Sequence, residues 1–113
     1  MVSIRTVHDI ALSFPDTDAH PHFERIAFRV KKKIFVTLSE KDSMVMVKLS
    51  LIDQSVFCAF DPAIIYPVPG AWGKGGATFI NLKKIKKSML KDAITMAYCN
   101  VAPQKLADKF LPK

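Results

Sequence analysis

Three short β-prone stretches, the first alternating apolar and polar residues, joined by only a few polar residues each, constrain this chain more than any other feature. Ile26, Phe28 and Val30 alternate with Arg25, Ala27, Arg29 and Lys31, the period-two signature of a strand with one face on a core. Ile34 to Ser39 follows after Lys31-Lys32-Lys33, and Met44 to Leu49 follows the polar turn Glu40-Lys41-Asp42. Parallel neighbours need a crossover of about a dozen residues, so links this short dictate an antiparallel meander.

Helical patterns flank the meander. Ile4, Val7, Ile10, Ala11 and Phe14 keep the three-and-four spacing of one helical face, with Ser3 as N-cap and Pro15 as a stop. Asp16 to Pro21 is polar and turn-rich and reads as a loop. Ser50-Leu51-Ile52-Asp53 resembles a capping box, opening a helix whose expected buried face is Ile52, Val56, Phe57 and Phe60 and which Asp61-Pro62 ends. Ile64–Tyr66 lies among prolines and reads as a short edge strand. Gly70 to Gly76 holds all four glycines and reads as a flexible loop or turn. Ala77 to Leu82 is a further strand. Ile85, Met89, Ala93, Met96 and Ala97, with Leu90, Ile94 and Val101, form the broad apolar face of a long helix that Pro103 closes. Gln104 to Phe110 reads as a last short helix. The expected fold is an α+β two-layer sandwich, a mostly antiparallel sheet of about five strands against helices.

With 113 residues, the chain is expected to form a single domain over 1–113. Half of it is apolar and 24% is charged, enough for a packed core and unlike a disordered chain. Its longest apolar runs, such as Phe57–Phe60 and Ala63–Tyr66, fall far short of the ~20 residues of a membrane span. Met-Val-Ser-Ile-Arg has no apolar signal-peptide region. Cys58 and Cys99 are too few for a disulfide scaffold and sit among apolar residues, as packed thiols do. The expectation is a cytoplasmic protein with no membrane partner.

The charge is the unusual bulk property. Seventeen Lys and Arg against ten Asp and Glu give +7, which favours anionic partners. Lys31, Lys32 and Lys33 sit at a predicted hairpin tip, with Arg25 and Arg29 on the strand leading to it. They can neutralise phosphates, or simply keep the tip solvated. Lys83, Lys84, Lys86, Lys87 and Lys91 form the densest cationic cluster, and helical geometry puts Lys84, Lys87 and Lys91 on one stripe as a secondary anion site. Trp72, the only tryptophan, lies among glycines beside Lys74. It can stack on a base or fold back onto the sheet. The glycines complete neither a Walker motif nor a dinucleotide fingerprint. His8, His20 and His22 have no neighbouring cysteine or paired carboxylate to complete a metal set. No nucleophile–base pair is apparent either, so neither a cofactor nor an enzymatic activity is expected.

Several segments, taken in order, resemble one family. They are Phe28-Arg29-Val30, Lys33 to Leu38, Val45 to Leu49, Pro67-Val68-Pro69-Gly70-Ala71-Trp72-Gly73-Lys74-Gly75-Gly76-Ala77-Thr78, and Ala97-Tyr98-Cys99-Asn100-Val101-Ala102-Pro103. Their combined order and spacing is similar to the MmcQ/YjbR family, from the first helix to about Leu106. The resemblance implies the CyaY-like α+β fold and a double wing of projecting hairpins, the shape behind the family's DNA-binding label. Its first wing would lie near Lys31–Lys33 and its second around Trp72–Gly76. Lys32 stands where the family usually has glycine, and Tyr98 where it often has tryptophan.

The leading expectation is therefore a non-enzymatic module that contacts nucleic acid through phosphates, with weak sequence specificity, using Arg25, Arg29, Lys31, Lys32, Lys33 and Lys74, with Trp72 stacking. The alternative is a protein-interaction or regulatory module gripping a partner with the Trp72 loop and the Pro67–Pro69 edge. A third reading, iron handling by analogy with frataxins, would rest on Asp9, Asp16 and Asp18.

Overall fold

A computed structural model of the protein describes residues 2–111. Its six-stranded sheet has the order β1-β2-β3-β4-β6-β5, with every neighbouring pair antiparallel. The central meander is β2 (Arg25–Val30), β3 (Lys33–Ser39) and β4 (Met44–Lys48), as the alternation predicts. β6 (Ala77–Asn81) extends it on one side, and the three-residue β5 (Ile65–Pro67) forms the edge beyond. The two-layer α+β expectation holds.

β1 (Thr17–His22) corrects the loop expected at Asp16 to Pro21 and raises the strand count from about five to six. It pairs only with β2, from Thr17↔Val30 to His22↔Arg25, and its residues are mostly exposed. An outer strand held by backbone pairing buries no apolar stripe, and Pro21 is tolerated at an edge.

The core lies between one sheet face and α1 (Ile4–Ala11) and α4 (Lys87–Val101). Phe28, Val36, Leu38, Val45, Val47, Ile65 and Ile80 point into it. A bulge at Phe28/Arg29 shifts the β2–β3 register, and both Phe35 and Val36 are buried in the core there. The Ser3 hydroxyl accepts from Thr6 N at 3.1 Å, capping α1 as expected, although α1 ends at Ala11 before Pro15 is reached. Phe14 then reaches the core from beyond the helix, stacked on Tyr98 with ring centroids 4.6 Å apart. The last short helix, α5, is Gln104–Ala107.

α2 (Leu51–Phe60) begins where expected, with Ser50 Oγ accepting from Asp53 N at 3.1 Å. Its buried face is not the expected one. Ile52, Val56 and Phe60 are exposed together with Leu51, Ile52 by 77%, and only Phe57 of the predicted set packs against the core. The residue buried instead is Gln54, whose Nε2 donates to Gly73 O at 2.8 Å, Ala77 O at 3.2 Å and Thr78 Oγ1 at 3.2 Å. α2 is apolar on nearly every side, so apolarity alone does not select its inward face; the carbonyls that Gln54 satisfies do.

Candidate nucleic-acid interface

Antiparallel pairing brings two of the predicted elements to the same end of the sheet. β2 ends at Val30, paired with Lys33 at the start of β3. β4 runs back to Lys48, which pairs with Ala77 at the start of β6. The Lys31–Lys32 tip and the segment preceding Ala77 therefore leave the same end, about 10 Å apart for two strand spacings between β3 and β6. Lys48 lies between them.

The first element is a two-residue hairpin. Lys31 and Lys32 both have positive φ, 50° and 68°, as a primed hairpin turn requires, and neither is glycine. Lys32 and Lys33 are exposed and make no ion pair among the described residues. Lys31 and Arg29 do not share that freedom. Lys31 Nζ lies 3.4 Å from Asp16 Oδ2. Arg29 is held across the β1–β2 pair by a fork on Asp18, Nε to Oδ1 at 2.8 Å and Nη2 to Oδ2 at 3.0 Å. The Arg29 hydrogen bond holds the Asp18 carboxyl below its ordinary range, and the same bond raises the guanidinium. Arg25 begins β2, at the opposite end from the lysine tip. The expected first basic wing is thus two lysines without an ion pair among the described residues, two ion-paired cations and one distant arginine.

The second element is not a flexible hairpin loop. Ala71–Lys74 forms a helical turn, α3, fixed from below by Gln54 on Gly73 O. Trp72 projects from it 69% exposed, so it does not plug the sheet, and Lys74 is exposed beside it. The glycines serve close approach. A Cβ on Gly73 would lie 1.8 Å from Val68 O, and one on Gly76, at φ +109°, would lie 2.0 Å from Leu49 O.

The sheet face opposite the helices carries a feature that sequence reading missed. Cross-strand register aligns Ala27, Thr37, Met46 and Phe79 in one row. Above Thr37, Met46 and Phe79 opens a groove of about 660 Å³, bounded by Phe23 and Arg25 on one side and Val68 and Trp72 on the other. Phe23, at the tip between β1 and β2, has φ 59° and is 95% exposed. Its only sequence signal is a lone phenylalanine in a polar stretch.

The remaining candidates separate. Lys83 and Lys84 lie in the turn before α4, Lys86 is its N-cap residue, and only Lys87 and Lys91 are on the helix. The expected three-lysine stripe therefore loses Lys84. The carboxylates of the iron reading are each engaged, Asp9 with Arg5 at 3.5 Å, Asp16 with Lys31 and Asp18 with Arg29. Among the described residues, no three His, Cys, Asp or Glu side chains gather as a metal site would need. Cys58 and Cys99 are half-buried and free, and burial pushes both thiols up, away from the reactive thiolate. No helix among the described residues is long and apolar enough to cross a membrane.

Comparison with known proteins places this architecture. No curated protein matches the chain. A crystal structure of a Deinococcus radiodurans protein with a DUF419 domain superposes with a TM-score of 0.80 at 14% identity, over 99% of this chain and 91% of that one, which establishes a shared fold. The YjbR family model matches residues 12–100, from the end of α1 through nearly all of α4. This chain, with its six-stranded sheet and its Trp72 turn, is a member of the YjbR family.

Proposed function

We propose that the protein is a non-enzymatic nucleic-acid-binding module that grips phosphates with Lys32, Lys33 and Lys74 and stacks a base on Trp72. One observation carries the reading: two lysines without an ion pair among the described residues, Lys32 and Lys33, and an exposed tryptophan beside a lysine leave the same end of the sheet. Lysines at such points release condensed counterions on binding, and an aromatic face accepts any base. Among the described residues no recognition helix with base-reading side chains accompanies them, so affinity follows phosphate charge more than sequence.

Fluorescence anisotropy of labelled duplex and single-stranded DNA at roughly 50 and 200 mM salt tests this. Replacing Lys32 and Lys33 together with alanine is expected to reduce the log–log salt slope by about 2, one per lost phosphate contact. In the same assay Asp18→Asn is expected to tighten binding, because it releases the Arg29 guanidinium. Equal affinity of the double variant and the wild type at low salt would remove the tip from the interface.

A second reading, a protein-interaction module, draws support from α2. Leu51, Ile52, Val56 and Phe60 are exposed on a helix packed against β5, next to the Pro67–Pro69 edge. On this reading the chain self-associates through that face. Sedimentation at 50 and 500 mM salt should show a dimer that salt does not dissolve and Ile52→Lys does, since apolar burial is not screened. A monomer at high concentration rejects it.

A further inference from the structure

We propose that the groove on the open sheet face receives one unstacked nucleobase of a single-stranded chain, with Phe23 and Trp72 as its walls and the Thr37 hydroxyl as the group that bonds the base edge. This deepens the nucleic-acid reading above and rests on it. Thr37 lines the groove and is 6% exposed; its Oγ1 is buried with no hydrogen-bond partner among the described residues, and a turn about χ1 brings it to the groove floor for a base edge to meet. Its cross-strand partners, Ala27 and Met46, offer it no side-chain oxygen or nitrogen. A buried hydroxyl left unpaired costs stability that an apolar residue of the same shape would not, and it can recover that cost from a ligand.

The walls supply the rest. Phe23 is held almost wholly in water on a left-handed backbone, at a tip where glycine would be easier. Trp72 stands across the same groove. Two exposed aromatic faces above a floor of Met46, Ala77 and Phe79 suit a flat heterocycle better than a sugar or an aliphatic chain. The volume falls within the roughly 300–1,000 Å³ of small-molecule sites. Arg25 at the rim places a cation where the backbone of the bound nucleotide would pass. A duplex keeps its base edges paired and stacked, so only a single strand can fill this site.

Trp72, the sole tryptophan, reports occupancy through quenching of its own fluorescence. The titrants are a ten-residue oligothymidylate, the duplex of the same length, and thymidine monophosphate. Thr37→Val is expected to weaken oligothymidylate binding about 3- to 10-fold, and Thr37→Ser, which keeps the hydroxyl, to restore it. Phe23→Gly should weaken it at least about 5-fold. Glycine suits the positive φ, and valine matches the shape of threonine, so both variants fold. If Thr37→Val and Phe23→Gly bind oligothymidylate as the wild type does, the groove assignment is overturned, even with duplex binding still dependent on Lys32 and Lys33. If the mononucleotide binds as tightly as the oligomer, the occupant is a free nucleotide and the single-strand assignment is overturned. Absence of binding to single and double strands alike overturns both readings.

Discussion

Tyr98→Ala is expected to lower the unfolding free energy by about 3–5 kcal/mol, as truncation of a large buried aromatic does. Tyr98 heads the fully buried side chains. It stacks on Phe14 at 4.6 Å and meets Phe35 and Phe110 edge-on, both at 5.6 Å between centroids. Those rings come from α4, β3 and the two chain segments that leave α1 and α5, so the cavity would open where all of them meet. The hydroxyl adds a separate contribution. It donates to Pro15 O at 2.9 Å and ties the residue after Phe14 to the last long helix. Tyr98→Phe keeps the ring and loses that bond, at about 1 kcal/mol. Urea denaturation followed by far-UV circular dichroism gives both numbers. A loss below about 1.5 kcal/mol for the alanine variant would mean that the aromatic cluster repacks, contrary to the close packing described.

Gly73→Ala is expected to cost about 2–4 kcal/mol and to move Trp72. The new methyl would overlap the Val68 carbonyl, and that oxygen belongs to backbone fixed by the bond from Val68 N to Ala77 O at 2.9 Å. The turn must therefore lift, which pulls Gly73 O from the Gln54 amide. Gln54→Leu tests the same bracket from the other side, removing the side-chain donor and leaving Gly73 O only its bond from Gly76 N at 3.0 Å. Both variants should alter the Trp72 emission maximum in the folded state, and both should weaken single-strand binding in the anisotropy assay. Wild-type stability together with an unchanged emission spectrum would show that the turn is not held in this way.

The elements legible in the sequence were those whose signal is local. Ser3 and Ser50 cap the helices that follow them, because a hydroxyl before an apolar periodic run has one favourable use. The alternation in β2 reports one buried face, and the brevity of its link to β3 dictates the pairing. What was not legible depends on partners distant in the chain. β1 carries no apolar pattern because its partner is a strand edge. α2 presents apolar residues all round, and only the carbonyls of Gly73 and Ala77 select the face that bears Gln54. Arg29 and Lys31 look like free cations until β1 sets Asp18 and Asp16 beside them. Thr37 has no mark in the sequence at all, since its unpaired hydroxyl is a property of a row of residues from several strands.

The left-handed residues at the two tips of β2 set stability against binding. Phe23 and Lys32 each hold a backbone conformation that costs a non-glycine residue on the order of 1–2 kcal/mol, and glycine would relieve it. A search for heat-resistant variants would therefore enrich glycine at these two positions and, on the proposed reading, discard a stacking wall and a phosphate contact together. Thermal tolerance and ligand grip would decline to rise together, and a hardened variant would be a poorer binder for reasons confined to two turns.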